Sequence, residues 1–293
     1  MTATPQNTRL GIGLMVATVL SYTAQDGVTR FLAGEYNVMM VVMIRYWFFA
    51  AFVLVLALRA PGGLRAVVAT RRPGLHAARA VLHIAEICLI VASFILIGLI
   101  NTHAVFAVCP LIIAALSGPV LGERVGLGRW LAIGAGFLGI VVILRPGSDL
   151  FTPLALLPLA SAVMFALYSV LTRVATKAEP SFVAFFWSGI LGAVLMTVAG
   201  AAFWQPMGMR DWALTALNGG LAILSNWLMI RAYAVAEASA VQPFAYLQLV
   251  FVTVMGVTLF DEVLTLPTVI GAGIVVAAGL AAVAAGAPRR QTI

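Results

Sequence analysis

Apolar runs of about twenty residues, broken by short polar or turn-forming stretches, follow one another along the whole chain. Ten can be marked, at about 10–33, 36–58, 77–100, 103–121, 127–145, 152–174, 181–203, 211–233, 239–260 and 264–286. Between them lie breakers such as Pro61-Gly62-Gly63, Pro146-Gly147 and Pro206-Met207-Gly208. A hydrocarbon core of about 30 Å takes about 20 apolar residues as helix, whereas a closed barrel needs alternating strands of about ten. Alternation is absent, so the pattern predicts membrane-spanning helices. The first run is longer than the core of a secretory signal and nine more follow it, which makes it the first helix.

Composition agrees: 63% of the 293 residues are hydrophobic and 9% charged, against roughly a quarter charged in a soluble domain. Positive charge collects on the cytoplasmic side of membrane proteins. With the N-terminus inside, thirteen of the 17 Lys and Arg residues, from Arg9 to Arg290, fall at inner ends. Arg30, Arg145 and Arg210 fall at outer ends, and Arg45 lies inside the second run. Both termini are therefore expected in the cytoplasm. The net charge of +7 is a consequence of topology and calls for no nucleic acid. Cys88 and Cys109 both lie within spans, which makes a disulfide framework unlikely.

A shift of 139 residues lays "LSGPVLGERVGLGRWLAIGAGFLGIVV" (116–142) on "VMGVTLFDEVLTLPTVIGAGIVVAAGL" (254–280), with Glu123 on Glu262 and Gly134 on Gly273. Two units follow, 1–149 and 150–293, of five helices each. Five is odd, so the second unit enters the membrane from the other side. Inverted repeats of this kind place a solute site near the midplane, at the interface between halves. Gly134-Ala-Gly136-Phe-Leu-Gly139 fits the G-x-G-x-x-G dinucleotide fingerprint but sits inside a span, without the strand that the fingerprint requires. Small residues there, and at Gly271, Gly273 and Gly279, let helix backbones approach, within one chain or in a homodimer.

"LGERVGLGRWLAIGAGFLGIVVIL", "FDEVLTLPTVIGAGIVVAAGLAAV" and Arg45-Tyr46 together resemble the two copies of the EamA domain, in the drug/metabolite transporter superfamily. The second copy lacks the Arg-aromatic pair, having Ser188-Gly189 near that place. The resemblance implies an all-α transporter of ten helices. It also implies a bacterial inner-membrane exporter of amino acids, aromatic ones included, like the YddG-type exporters. The same superfamily resemblance accommodates a drug, or a nucleotide-linked or phosphorylated solute, as the alternative cargo.

Intramembrane polar residues mark candidate pathway positions, because ionisable groups there face a bundle interior or water. Arg79, His83 and Glu86 recur on one helical face, and the shift places Glu86 on Ser225, beside Asn226 and Trp227. With Tyr246 and Gln248 these residues form the expected substrate site: His83, Glu86, Ser225, Asn226, Trp227, Tyr246 and Gln248. His83 and Glu86 are open to three roles: a buried hydrogen-bond network, recognition of a solute ammonium group, or proton coupling. Arg45 is open to a pair with Asp26 or to a solute carboxylate. Glu123 and Glu262, at span ends, are expected to reach water or to cap the helix that follows. The His83/Glu86 spacing lacks the second motif that a di-iron bundle needs, and no nucleophile–base or H-E-x-x-H motif is present, so neither metal, cofactor nor enzyme activity is expected. The partners expected are a small-molecule solute and the lipid bilayer.

Overall fold

A computed structural model describes residues 7–121, 126–144, 153–235 and 242–286. These residues form helices joined by short turns, with no strand among them. The helices are α1 (Thr8–Glu35), α2 (Val38–Arg59), α3 (Gly63–Val68), α4 (Pro73–Leu96), α5 (Leu99–Phe106), α6 (Cys109–Leu121), α7 (Leu127–Leu144), α8 (Leu156–Ala178), α9 (Ser181–Gly200), α10 (Met209–Val235), α11 (Leu247–Phe260) and α12 (Leu266–Gly286). Among the described residues, five segments are long and apolar enough to cross a membrane: Val38–Arg59, Pro73–Leu96, Leu99–Leu116, Pro153–Thr172 and Phe182–Phe203. Trp130–Leu144, Phe244–Phe260 and Leu266–Ala282 are shorter apolar helices. The protein is a multi-pass membrane protein, and its outward faces fit that: Leu58, Leu127, Leu138 and Val198 stand exposed. Such a surface is stable against lipid and costly against water.

Local chemistry sets the helix starts. Asn7 and Asn37 accept hydrogen bonds from the backbone N–H groups of Leu10 and Met39 at 3.0 and 2.9 Å, capping α1 and α2. Pro73 opens α4, where its missing N–H costs nothing. The fourth span departs from the sequence reading: α5 begins at Leu99 rather than near residue 103, and the helix is interrupted at Ala107 and Val108, just before Pro110. The early start follows from Gly98, whose positive φ of 86° turns the chain sharply out of α4.

Packing pairs α1 with α10, α4 with α8, α2 with α9 and α7 with α12. The 139-residue shift carries Leu127 onto Leu266, the first residues of α7 and α12, and brings Cys109 within one residue of Leu247, which opens α11. Under it α1 corresponds to α8 and α4 to α10, so the pairs α1–α10 and α4–α8 are counterparts. Trp204, beyond α9, lies between Trp47 of α2 and Trp212 at the start of α10, with ring centroids 6.1 Å from each.

The α7–α12 seam is where the glycines are used. A side chain on Gly139 would strike the Gly271 carbonyl, and one on Gly271 would strike that of Gly139. The motif's close approach is thus made within the chain, and nothing in it points to a homodimer. Replacing Gly271 with valine is expected to destabilise the fold by about 2–3 kcal/mol through overpacking. The check is the thermal unfolding midpoint in detergent, where an unchanged value would show that the two helices can slide apart.

Candidate functional site

Pro73 and the helix it starts place His76, Arg79, His83 and Glu86 along one side of α4, facing α8 and α9. Arg79, 1% exposed, donates from Nε to Thr172 Oγ1 at 2.9 Å and lies 3.1 Å from His76 Nδ1. Its guanidinium sits 5.3 Å from the centre of the Tyr168 ring. His76 Nε2 in turn lies 2.9 Å from Glu179 Oε2. The Glu179 carboxylate also accepts from the Thr70 hydroxyl at 2.8 Å and the Arg71 backbone N–H at 2.7 Å. A buried arginine thereby reaches its counter-charge through an imidazole, and the turn between α3 and α4 is tied to the end of α8.

Glu179 stands past the apolar part of α8, and its carboxyl is held down to about 2, chiefly by the hydrogen bond from His76. A depressed carboxylate contributes stability above its usual value of 4.5, and that contribution fades as pH falls toward 2. The wild type is therefore expected to lose thermal stability between about pH 4.5 and 2 more steeply than Glu179→Gln, which should start lower at neutral pH. Parallel melting curves for the two proteins across that window would refute the assignment.

One helical turn deeper, the His83 ring stacks on Tyr168, with centroids 4.3 Å apart and planes at 8°. His83 Nδ1 lies 3.3 Å from Glu86 Oε2. Glu86 is buried, and its other oxygen receives the Ser161 hydroxyl at 3.3 Å. Rings continue from there: Tyr46 and Phe165 flank His83 at 6.5 and 6.4 Å, Phe106 follows Phe165 at 5.8 Å, and His103 follows Phe106 at 6.5 Å. An aromatic band thus crosses the interior from α2 through α4 and α8 to α5.

In the second half, Ser225 donates to Gln25 Oε1 at 3.3 Å and Asn226 accepts from the Tyr22 hydroxyl at 3.3 Å, both across the α1–α10 contact. The shift lays Tyr22 on Ser161 and Ser225 on Glu86, but Tyr22 bonds Asn226 and Ser225 bonds Gln25, so the two halves place polar contacts at the same helix pairs without repeating the same partners. Gln248, on α11, donates to Asp26 Oδ2 at 3.1 Å. Two predicted residues lie elsewhere. Trp227 is 51% exposed on the outer side of α10, with the Arg231 guanidinium 5.7 Å from its ring centre. Tyr246 packs its ring against Gly279 of α12.

Two ionic contacts differ from the sequence reading. Asp26 is engaged by His103, whose Nε2 is 3.1 Å away, and by Gln248; it forms no ion pair with Arg45. His103 is visible in the sequence as a lone histidine in an apolar run, but only the fold brings it to Asp26. Glu262 caps a helix, though not the one that follows it. Its oxygens accept from the backbone N–H groups of Leu99 and Ile100 at 2.7 and 2.8 Å, at the start of α5, and it pairs with Arg30. Glu123 lies outside the described residues. An apolar groove of about 480 Å³ between α5, α11 and α12 is lined by none of these ionisable groups.

The EamA-like transporter family matches residues 152–283. The chain is 26% identical over 271 residues to an S-adenosylmethionine uptake transporter of Rickettsia bellii, covering 92% of each. It is 28% identical over 278 residues to a riboflavin transporter of Brucella anthropi, covering 91% of this chain and 95% of the relative. A riboflavin transporter of Rhizobium johnstonii is 33% identical over 189 residues, 63% of this chain and 61% of the relative. A solved crystal structure superposes with a TM-score of 0.64 at 18% identity, over 97% of this chain and all of that one, which is a likeness of fold.

Proposed function

This chain is an EamA-type transporter of the drug/metabolite transporter superfamily, and from that premise we propose that it moves a metabolite carrying a planar heteroaromatic ring, of the flavin or adenine-sulfonium kind. The observation that carries the reading is the aromatic band around the stacked His83 and Tyr168, with Glu86 and Ser161 at its side. Flat rings offer stacking faces to a flat solute, and a few placed polar groups orient it. The relatives named for riboflavin and S-adenosylmethionine support this choice. The amino-acid cargo gives way, because none of those names supports it. A phosphorylated cargo is disfavoured, because Arg79 is engaged with His76 and Thr172, and among the described residues Arg45, next to Tyr46, is then the one arginine left beside the band.

The ten runs of the sequence are then ten spans in two inverted units, 1–149 and 150–293. The common shift of helix starts and the counterpart pairs α1–α10 and α4–α8 support that arrangement. The pathway lies between the units, with His83 and Glu86 on one side and Ser225, Asn226 and Gln248 on the other. The distribution of Lys and Arg supports an inner membrane and cytoplasmic termini. Uptake is the direction supported by the S-adenosylmethionine relatives.

Counterflow into proteoliposomes tests the reading, with riboflavin, S-adenosylmethionine, phenylalanine and threonine as solutes. Saturable exchange of either ring-bearing solute, with little exchange of threonine, is expected. Exchange confined to the amino acids would overturn it.

A further inference from the structure

We propose that Asp26 and His103 form a proton-loading site near the outer side of the pathway, which couples solute movement to the proton gradient. It goes beyond the cargo assigned above and concerns the driving force. Asp26 on α1, His103 on α5 and Gln248 on α11 converge in the interior, so the group joins both halves of the chain. His103 Nε2 lies 3.1 Å from Asp26 Oδ2 without the alignment of a hydrogen bond, a contact that a proton would tighten. Without a proton on either group the pair holds one negative charge in apolar surroundings, and a single proton neutralises it.

Position ties the site to the outer part of α1 on one side and to the aromatic band on the other. Tyr22, Asp26 and Arg30 follow each other at four-residue spacing on α1, so the stripe leads from Asp26 to the Arg30–Glu262 pair at the helix end. On the other side, His103 lies against Phe94 at 5.4 Å and meets Phe106, the last ring of the band that begins at His83. Toward the outer end of α1 the ionisable groups are Arg30 on α1 itself, Glu262 after α11, and Arg210 and Asp211 on α10, which meet Phe31 of α1 and Tyr36 just after it; on the other side lie His83 and Glu86 on α4 and Tyr168 on α8. Among the described residues α12 and α7 bring no further acid, histidine or lysine to it. In one cycle a proton leaves outer water, rests between Asp26 and His103, and passes to inner water as the halves exchange access. No bond other than N–H and O–H is made or broken.

Three readouts decide the matter. The chain has three histidines, so 15N-histidine labelling with His76→Gln and His83→Gln for assignment isolates the His103 ring in lipid vesicles, with no solute present. A pH-dependent change in the His103 ring nitrogens in the wild type is expected, altered in Asp26→Asn. With the membrane potential clamped, one pH unit of inward gradient should concentrate riboflavin about tenfold for one proton per molecule. Asp26→Asn should keep counterflow at equal pH and lose that accumulation, which a purely structural role would not separate. A His103 ring indifferent to pH, or accumulation that survives Asp26→Asn, would overturn the proposal. Absence of counterflow with every solute would count against the cargo reading alone, and the spectroscopic readout would still decide the proton site.

Discussion

Glu262→Ala is expected to lower stability by about 3–5 kcal/mol, among the largest losses available outside the core. The carboxylate accepts two short backbone hydrogen bonds at the start of α5, from Leu99 and Ile100, where four N–H groups would otherwise lack partners. It also neutralises Arg30, whose guanidinium lies 4.3 Å from the centre of the Phe260 ring and is largely withdrawn from solvent. Removing the acid leaves a positive charge against an aromatic face and an uncapped helix end in the same place. Because the two losses share one side chain, a double-mutant cycle separates them. Arg30→Met alone should cost less than Glu262→Ala, and the double variant should fall well short of the sum of the two singles. Strict additivity of thermal midpoints would mean that the ion pair contributes nothing and that the cap alone matters. Gly98→Ala offers an independent check, since a methyl group at that positive-φ position would meet the same carboxylate.

That contact also marks the limit of what the chain reveals before folding. Apolar run length indicated most of the helices, because the bilayer dictates it, and both Glu86 and Ser225 are buried in contacts between helices. The helix-end role of Glu262 was legible from its place between two runs, but its target was not, since α5 is 163 residues away from it in sequence. Likewise Asp26 reads as a partner for Arg45 when only depth along each helix is counted. Rotation about the helix axis, which residue counts do not fix, turns Asp26 toward α5 and α11 instead. Trp227 shows the same blindness: it is adjacent in sequence to Asn226, yet a step of about 100° puts it on the other side of α10. Of the aromatic band, Tyr46 and His83 stood out in the sequence, while Phe165 and Phe106 were indistinguishable from ordinary apolar filling.

Tyr168→Leu is expected to cut transport of the ring-bearing solute by about tenfold to a hundredfold, while leaving the fold largely intact. Leucine keeps much of the apolar bulk that packs between α8 and α4, so the helix pair should hold. What it removes is the face on which His83 lies at 4.3 Å and the ring beneath the Arg79 guanidinium. A stacking contact with a heteroaromatic ring is worth about 1–3 kcal/mol, and 1.4 kcal/mol is about tenfold in affinity; freeing His83 to tilt would add to the loss by misplacing its approach to Glu86. Tyr168→Phe is the informative companion, since it retains the ring and gives up only the hydroxyl. Riboflavin counterflow should be near wild type in Tyr168→Phe and severely reduced in Tyr168→Leu, with similar thermal midpoints for both. Equal transport by the two variants would remove stacking from the account of recognition and leave Glu86 and Ser161 as its remaining basis on this side of the pathway. A loss in both would instead assign the role to the hydroxyl, and with it to the polar network that runs from Arg79 to Glu179.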